Sequence, residues 1–355
     1  MRLALNTSSL SSAHKFRGLG FYTRRLLHQL KKAEDIAIAA FSNQLPKNVD
    51  LVHYPAFTLF NPLKNIPLRS RIPVVFSVHD LIPLKYPQHF QPGLKGKLRW
   101  RKQKKVLQKV QAIITDSQAS KKDIVKFTGI SSKKVFVIYL AADKVFQPIK
   151  DKPWLQKIKK RYHLPDKFIL YVGDMNWNKN IIALVKSSLK LQYPLVVVSK
   201  QAMANDFNPR HPEVKDLVLF QELAKTHPQT VIRLGFVPTR DLVGIYNLAT
   251  CYVQPSWAEG FGLPVLEAMA CGCPVITSKA TSLAEIAGQA ALFINPSHQS
   301  ELVTALKDCW QNQALRKKLT RLGLNQSQKF SWQKTAQETI KVYQKVYEKK
   351  VYEKT

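Results

Sequence analysis

The chain alternates short apolar runs with longer amphipathic segments, and this alternation limits its fold more than any other feature of the sequence. In the first half, apolar runs occupy 2–5, 36–41, 49–53, 72–78, 110–115 and 135–140. Stretches with helical spacing lie between several of them, for example YTRRLLHQLKKA at 22–33. Strands that alternate with helices form βαβ units, whose strands run parallel in one sheet. The sequence therefore predicts an α/β fold.

The second half of the chain repeats this alternation after a short irregular stretch. Residues 141–154 (AADKVFQPIKDKPW) lose the apolar periodicity and gain proline and charge, so we predict a linker there. Strands are predicted beyond it at 168–173, 194–199, 230–234, 250–254, 274–277 and 291–294, and helices at 179–192, 214–227, 239–248, 263–271, 282–287 and 300–311. One more helix is predicted from about residue 332.

These patterns predict two Rossmann-like, doubly wound domains that face a central cleft. The first domain spans 1–150 and the second 151–331, and 332–355 is a C-terminal helix that returns toward the first domain. Sheets of this kind bind their ligands in a crevice outside the carboxyl ends of the strands. Functional residues are therefore expected in the segments that directly follow a strand.

Composition is typical of a folded protein without a membrane span or a disulfide framework. Of the 355 residues, 45% are hydrophobic, and no apolar run approaches the roughly 18–20 residues of a spanning helix. The opening MRLALNTSSL reads as a first strand, not as a signal peptide. None of the four cysteines forms a CxxC pair, so we expect no zinc site. We expect the protein to occur in a reducing cytoplasm.

A formal net charge of +32 favours acidic partners such as nucleic acid, anionic lipid headgroups or phosphorylated small molecules, although a solvated basic surface explains most lysines equally well. The densest stretch, KGKLRWRKQKKV from residue 95, contains seven Lys or Arg and Trp100. On a helix, 95–105 suits an anionic membrane surface or an ordinary solvated face. No RNP-like motif, zinc finger or helix-turn-helix is present, so we predict no specific nucleic-acid partner.

The stretch SWAEGFGLPVLEAMA (256–270) combines a strand end, a glycine turn and a helix that starts near Pro264. Glycines in such a turn adopt torsions that other residues resist and leave room for a ligand. The free N–H groups at the helix start are a seat for phosphate or sugar oxygens. Glu259 precedes the turn and Glu267 is expected in the first helical turn, where carboxylates suit sugar hydroxyls. Two glutamates at this spacing are weak evidence alone, but the full arrangement is specific.

The string EGFGLPVLEAMACGCPVI resembles the signature of retaining GT-B glycosyltransferases of the glycogen-synthase-like family four group. Further segments resemble the family in the same order: RGLGFYTRRLL (17–27), SVHDLIPLKYP (77–87), VIYLAADKVFQP (137–148), YVGDMNWNKNI (171–181), GFVPTRDLVGIYNLATCYVQPS (235–256) and SLAEIAGQAALFINP (282–296). The resemblance covers nearly the whole chain. It implies the GT-B fold and a nucleoside diphosphate sugar as the donor substrate.

The resemblance also implies roles for single residues. It places Lys179 on the donor diphosphate, Glu259 on the donor sugar, Glu267 on the ribose, and His79 near the transferred sugar, with His79, Lys179 and Glu259 as the catalytic set. The donor site then consists of Gly18, Gly20, Lys179, Gly235, Phe236, Val237, Glu259, Gly260, Phe261, Gly262, Leu263 and Glu267. A structural histidine and ordinary turns explain some of these positions equally well.

One departure concerns positive charge near Lys179. Many relatives carry an arginine beside this lysine or after the preceding glycine, where this chain has Asn178 and Asp174. A second cation for the diphosphate is then expected from Lys200, which follows a predicted strand, or from Arg17.

The implied reaction is a retaining transfer of a hexose to an acceptor hydroxyl on a glycan, a polysaccharide or a lipid-linked molecule. The sequence contains no D-x-D triplet, so we predict a metal-independent enzyme without a cofactor. GDP-mannose is the preferred donor, and the expected location is cytoplasmic, peripheral at the inner face of the membrane. The alternatives are a nucleotide-sugar epimerase of the same architecture, which would need a further acid/base set, and a basic nucleic-acid-binding protein.

Overall fold

The computed structural model describes residues 1–11, 18–60, 66–68 and 72–352. The chain forms two compact units, one of Met1–Leu140 with Phe330–Thr355 and the other of Ala141–Lys329. The division therefore falls at Leu140 and Lys329, whereas the sequence placed it at 150 and 331. None of the described helices is both long and apolar enough to cross a membrane.

The first unit contains a six-stranded parallel sheet with helices. Its elements are β1 (Arg2–Asn6), α1 (Gly18–Leu30), β2 (Ala37–Phe41), β3 (Leu51–Tyr54), β4 (Val74–Ser77), α2 (Ile82–Lys85), α3 (Gly93–Lys109), β5 (Ala112–Thr115), α4 (Gln118–Thr128), β6 (Val135–Val137) and, at the end of the chain, the helix Trp332–Tyr352. The strand order is β2-β1-β3-β4-β5-β6, and every pairing is parallel. All residues of β3, β4 and β5 are buried, as expected for parallel strands covered on both faces.

The second unit contains another six-stranded parallel sheet. Its elements are α5 (Lys152–Arg161), β7 (Ile169–Val172), α6 (Ile181–Leu191), β8 (Leu195–Val198), α7 (Lys215–Thr226), β9 (Val231–Arg233), α8 (Thr239–Leu248), β10 (Cys251–Gln254), α9 (Leu263–Ala270), β11 (Val275–Ser278), α10 (Ser282–Ala287), β12 (Ala291–Ile294), α11 (Gln299–Gln311) and α12 (Gln313–Ser327). The remaining helix, Trp332–Tyr352, is α13. These strands run in the order β9-β8-β7-β10-β11-β12.

The strand order of the second unit locates its ligand crevice. Counted within the unit, the order is 3-2-1-4-5-6, which is that of a dinucleotide-binding Rossmann sheet. The chain direction across the sheet reverses between β7 and β10, and ligands bind at the carboxyl ends of the two strands beside such a reversal. A ligand-binding site is therefore expected in the segments that follow β7 and β10.

Helix α13 lies in the first unit, where it packs against α1. Its Tyr343 is fully buried, and the hydroxyl lies 2.6 Å from Nδ1 of His53 on β3. The Thr335 hydroxyl donates to the carbonyl oxygen of Tyr139 at 2.7 Å. The last helix thus completes the core of the unit that contains the first strand.

Two parts of the second unit differ from the sequence prediction. Helix α12 was missed, and it packs against α9 with Gly323 so close that an added Cβ would lie 3.2 Å from Cγ of Met269. The predicted linker 141–154 is irregular only to residue 151, because the Asp151 side chain accepts a hydrogen bond from the N–H of Trp154 and caps α5.

Helix α3 contains the basic stretch found in the sequence. Its exposed apolar side chains are two leucines and not Trp100, the residue that the sequence analysis named. Trp100 is partly buried against the core of the first unit. The side chains that reach solvent are Leu94, 80% exposed, and Leu98, 57% exposed. They are four residues apart, so they share one face of the helix.

Candidate active site

An ion pair joins the two segments that leave the sheet at its reversal point. Lys179 ends a short 3-10 turn, Trp177–Lys179, which follows β7, and Glu259 follows β10. The Lys179 Nζ atom donates to Glu259 Oε1 at 2.9 Å and to Oε2 at 2.7 Å. Glu259 is only 7% exposed, so the contact is screened from water and strong. The structure thus brings together two of the three residues predicted to be catalytic.

Two further donors fix the Glu259 carboxylate. Gln254, the last residue of β10, donates from Nε2 to Glu259 Oε1 at 2.6 Å, and the Ser256 hydroxyl donates to the same oxygen at 2.7 Å. The Tyr252 hydroxyl donates to Gln254 Oε1 at 2.8 Å, which turns the amide nitrogen toward the carboxylate. The sequence analysis missed all three residues, although a buried polar residue at the end of an apolar strand was a usable signal.

The glycine turn after Glu259 is held by the start of α10. The Thr281 hydroxyl accepts from the Glu259 N–H at 2.8 Å, and the Ser282 hydroxyl contacts the carbonyl oxygens of Glu259 at 3.0 Å and Phe261 at 2.9 Å. Thr281 has a φ of 52°, a strained value for a β-branched residue. Strain of this kind persists only where the surroundings hold it, so the turn is tightly constrained.

Gly262 is required for the turn itself. Its φ is +104°, in the region that glycine tolerates, and an added Cβ would lie 2.6 Å from Cδ2 of Leu283. Helix α9 then begins at Leu263 with Pro264 in its first positions. Gly260 and Phe261 are buried beneath this turn. The start of α9 therefore follows Glu259 within four residues of the chain.

Asn178, which stands where many relatives have an arginine, and Asn180 tie the two segments together. The side-chain amide of Asn178 donates to the carbonyl oxygen of Ala258 at 2.9 Å. The backbone carbonyl oxygen of Asn178 accepts from the Trp257 N–H at 2.8 Å. Asn180 donates to the carbonyl oxygen of Pro255 at 3.1 Å. Asn178 thus has a structural role that an arginine side chain would not reproduce.

Glu267 lies in the second turn of α9, not in the first turn as predicted. It is half-buried, and the Tyr246 hydroxyl donates to its Oε2 at 3.1 Å. Burial raises the pKa of Glu267 to about 7, and the hydrogen bond from Tyr246 opposes part of that rise. The carboxyl group therefore changes its charge near neutral pH.

The predicted base-binding turn lies beside a lysine. Gly235 has a φ of +63°, Val237 is buried, and Phe236 is 61% exposed. The Lys200 Nζ atom lies 4.7 Å from the centroid of the Phe236 ring, within the range of a cation–π contact. Lys200 follows β8, so one candidate for the second cation lies at the carboxyl edge of the sheet, and the other, Arg17, lies outside the described residues.

In the first unit, both ring nitrogens of His79 have acceptors. Nδ1 lies 2.5 Å from Oδ2 of Asp116, and Nε2 lies 3.1 Å from the carbonyl oxygen of Pro55. Both partners are hydrogen-bond acceptors, and the Asp116 carboxylate favours the protonated ring. Burial alone would lower the pKa of His79, but the Asp116 carboxylate and these hydrogen bonds raise it above its usual value. His79 is thus held at both ring nitrogens by contacts within the first unit.

The predicted glycine loop is only partly described. Gly18 and Gly20 belong to the first turn of α1, not to a loop before it, and Gly20 is buried. Residues 12–17 lie outside the described part of the chain. Across 1–11, 18–60, 66–68 and 72–352, no three His, Cys, Asp or Glu side chains are grouped so that they could hold a metal ion.

Known protein families match both units. The family described as glycosyl transferases group 1 matches residues 154–329, and Glycosyltransferase Family 4 matches residues 11–144. The chain is 30% identical over 316 residues to the serotype-specific mannosyltransferase WbdA of Escherichia coli, covering 86% of this chain and 37% of WbdA. The chain thus spans little more than a third of that relative. It is 29% identical over 278 residues to the E. coli O-antigen chain mannosyltransferase B, covering 76% of this chain and 69% of the relative.

A solved structure adds a comparison of folds. Sucrose-phosphate synthase from Thermosynechococcus elongatus matches with a TM-score of 0.76 at 18% identity, covering 98% of this chain and 99% of that one. At this identity the likeness concerns the fold alone. With the two family matches and the two parallel six-stranded sheets, it shows that this chain belongs to the family four group of GT-B glycosyltransferases.

Proposed function

We propose that this chain is a retaining hexosyltransferase that moves a sugar from a nucleoside diphosphate to an acceptor hydroxyl. The observation that carries the proposal is the convergence of Lys179, Glu259 and the start of α9 at the reversal point of the second sheet. Mannose from GDP-mannose is the first candidate, because both curated relatives are named mannosyltransferases. A growing polysaccharide or lipid-linked glycan is the corresponding acceptor class.

The chemistry requires positive charge at the leaving group. As the bond between the anomeric carbon and phosphate breaks, negative charge grows on the diphosphate. The Lys179 ammonium and the positive end of α9 lie where they can stabilise that charge, and one well-placed donor contributes about 3 kcal/mol. Because these groups supply the charge, we propose that the transfer needs neither a divalent ion nor a cofactor.

Each of the remaining residues binds a different part of the donor substrate. Glu259 accepts hydrogen bonds from the transferred sugar, Glu267 accepts them from the ribose diol, and the turn Gly235–Val237 borders the base. The acceptor oxygen attacks the anomeric carbon on the face that the diphosphate leaves, and the leaving phosphate oxygen takes the acceptor proton. His79 donates a hydrogen bond from Nε2 to a sugar oxygen in place of the Pro55 carbonyl oxygen.

Helix α3 suggests where the acceptor is met. Leu94 and Leu98 are exposed on a helix that has seven Lys or Arg between residues 95 and 105 and no acidic residue. Apolar side chains next to cations suit the boundary between anionic headgroups and acyl chains. We therefore propose that α3 docks on an anionic membrane surface, at which a lipid-linked acceptor is presented to a cytoplasmic enzyme.

Donor profiling tests the reaction. The full chain is incubated with GDP-mannose, UDP-glucose or UDP-N-acetylglucosamine, and nucleotide release is measured with EDTA and with added magnesium. We expect release from one donor at the same rate in both buffers, and a product with the anomeric configuration of the donor. Activity that requires magnesium would contradict the metal-free proposal, and an inverted product would contradict retention.

A pair of lysine variants tests the site. Lys179→Ala is expected to lower kcat/KM by roughly 100-fold, because a charge-stabilising donor is lost. Lys186→Ala removes an exposed lysine of the neighbouring helix α6 and is expected to leave kcat/KM unchanged. Equal activity of the two variants, both folded by circular dichroism, would show that the diphosphate binds elsewhere.

A further inference from the structure

We propose that Gln254 is a positioning residue that holds the Glu259 carboxylate toward the donor sugar once Lys179 has turned to the diphosphate. The inference rests on the proposed function and concerns the same site. Gln254 matches no residue that the sequence analysis or the proposed reaction uses. Its importance follows from how the two oxygens of Glu259 are shared among their partners.

The two carboxylate oxygens have different sets of partners. Among the described residues, Oε2 of Glu259 is hydrogen-bonded only to Lys179, at 2.7 Å. Oε1 accepts from Lys179 at 2.9 Å, from Gln254 at 2.6 Å and from Ser256 at 2.7 Å. When a diphosphate draws the ammonium away, Oε2 becomes available to a sugar hydroxyl while Oε1 keeps two donors. The carboxylate then remains buried and oriented without its counter-ion.

Of the two remaining donors, Gln254 is held more firmly. It is buried at the end of β10, so the backbone that bears it is part of the sheet. The Tyr252 hydroxyl, two residues earlier on the same face of the strand, donates to its Oε1 at 2.8 Å. Burial raises the pKa of Tyr252 well above its usual range, so the phenol keeps the proton that it donates. The amide therefore has one orientation, with its NH₂ group directed at Glu259.

The loss of this amide should affect the sugar and spare the nucleotide. A nucleoside diphosphate makes its contacts with Lys179, α9 and Glu267, none of which Gln254 contacts in the structure. An intact nucleotide sugar also depends on an oriented Glu259. A residue that merely supported the fold would weaken both ligands together, and this difference separates a positioning role from a structural one.

Isothermal titration calorimetry with GDP and GDP-mannose, and with UDP and UDP-glucose in parallel, tests the proposal on the full chain. Gln254→Met keeps the side-chain volume and removes the donor. We expect the Kd of the free nucleotide to change less than twofold, the Kd of the nucleotide sugar to rise on the order of tenfold, and kcat to fall further. In the single variant the Tyr252 hydroxyl keeps only its longer contact, to the carbonyl oxygen of Val172 at 3.4 Å. Tyr252→Phe combined with Gln254→Met removes that hydroxyl and controls for a loss of stability.

A matched substitution provides the reference. Gln326 is also a buried glutamine of the second unit: its Nε2 donates to the carbonyl oxygen of Ile286 at 2.8 Å, and its Oε1 accepts from Lys329 Nζ at 2.8 Å. Gln326→Met should weaken neither ligand selectively. If both Gln254 variants lower the affinities for nucleotide and nucleotide sugar equally, or change neither, the positioning role is wrong while the transferase proposal stands. If the wild-type chain binds no nucleotide and releases none from any donor, both proposals fail.

Discussion

At the residue scale, the proposed function gives Lys179 two competing partners, because the ammonium that we propose for the diphosphate is paired with Glu259 in the structure. An incoming donor must therefore compete with a buried carboxylate for the ammonium. Such competition weakens the binding of a nucleotide that brings no sugar, since Glu259 then loses a partner and gains none. The pair thus favours the intact donor over the spent nucleotide.

This competition predicts opposite effects on binding and turnover. Replacing Glu259 by Gln removes the competing charge, so the affinity for free nucleoside diphosphate should rise severalfold. Turnover should fall on the order of 100-fold, because the sugar loses its acceptor group. Calorimetry and initial rates measure the two effects. Glu222→Gln, at an exposed position of α7, is the matched control, and weaker nucleotide binding in Glu259→Gln would contradict the competition.

Glu267 predicts how nucleotide binding depends on pH. With a pKa raised to about 7, the carboxyl group is largely protonated at pH 6 and largely ionised at pH 8. Only the ionised form accepts hydrogen bonds from both hydroxyls of a ribose through unprotonated oxygens. Nucleotide affinity should therefore rise between pH 6 and pH 8, and Glu267→Gln should bind more weakly and without this rise. An unchanged pH profile in that variant would exclude Glu267 as the ribose partner.

The sequence predicted the residues of this site better than their contacts. Lys179 and Glu259 each follow a strand, so their place at one sheet edge was predictable. Their direct pairing was not, because the two residues are 80 positions apart and only the geometry of two loops joins them. The same holds for His79, whose partners Asp116 and Pro55 come from other parts of the first unit.

At the element scale, continuous apolar runs located all twelve strands of the described residues, because parallel strands buried on both faces need no polar alternation. Two helices of the second unit, α5 and α12, were not predicted. Helix α12 has few buried positions, which are Leu319, Gly323 and Gln326. Only one of these three is a large apolar residue, so the apolar spacing that identifies a helix is weak. Helix α12 packs closely against α9 because Gly323 has no side chain. Glycine is unfavourable inside helices, so this residue weakens the helix prediction.

Helix α3 gives a prediction about membrane association. Replacing both Leu94 and Leu98 by Asp should abolish sedimentation of the full chain with vesicles that contain phosphatidylglycerol, because the inserted apolar contact is lost. Val145→Asp changes an exposed apolar residue of the second unit and should leave sedimentation intact. Binding of the Leu94/Leu98 variant that is as strong as that of the wild type would mean that charge alone, or another face, attracts the protein.

At the scale of the whole molecule, three groups, His53, Glu267 and His79, determine how stability depends on pH. Burial lowers the pKa of His53 to about 3, so the unfolded chain binds the extra proton below about pH 6.5 and stability falls on acidification. Glu267 has the opposite effect, since its pKa of about 7 exceeds the usual 4.5 and stability falls as pH rises through that interval. The raised pKa of His79 adds stability below about pH 6.5, which is lost as pH rises through the folded-state value.

Together these groups predict a plateau of highest stability in mildly acidic solution. Of these three groups, only His53 contributes a slope from pH 3 to 4.5, and stability rises there. Between pH 4.5 and 6.5 the contributions of His53 and Glu267 cancel. Above pH 6.5 stability falls because of His79 and, up to about pH 7, Glu267. Urea unfolding of the full chain from pH 4 to pH 9 measures the profile. His53→Gln should flatten its acid side, whereas His28→Gln, at an exposed position of α1, should not. A monotonic rise toward pH 9 in the wild type would refute the assignment.

The position of α13 sets the order in which a ribosome can complete the two units. The sheet of the first unit is encoded before residue 140, but the Tyr343 hydroxyl that meets His53 emerges only after the whole of 141–329 has been made. At about 5–20 residues per second, that delay is roughly 10–40 s. The second unit therefore finishes folding first. During synthesis the sheet of the first unit lacks α13, and the surface that this helix later covers is accessible to chaperones.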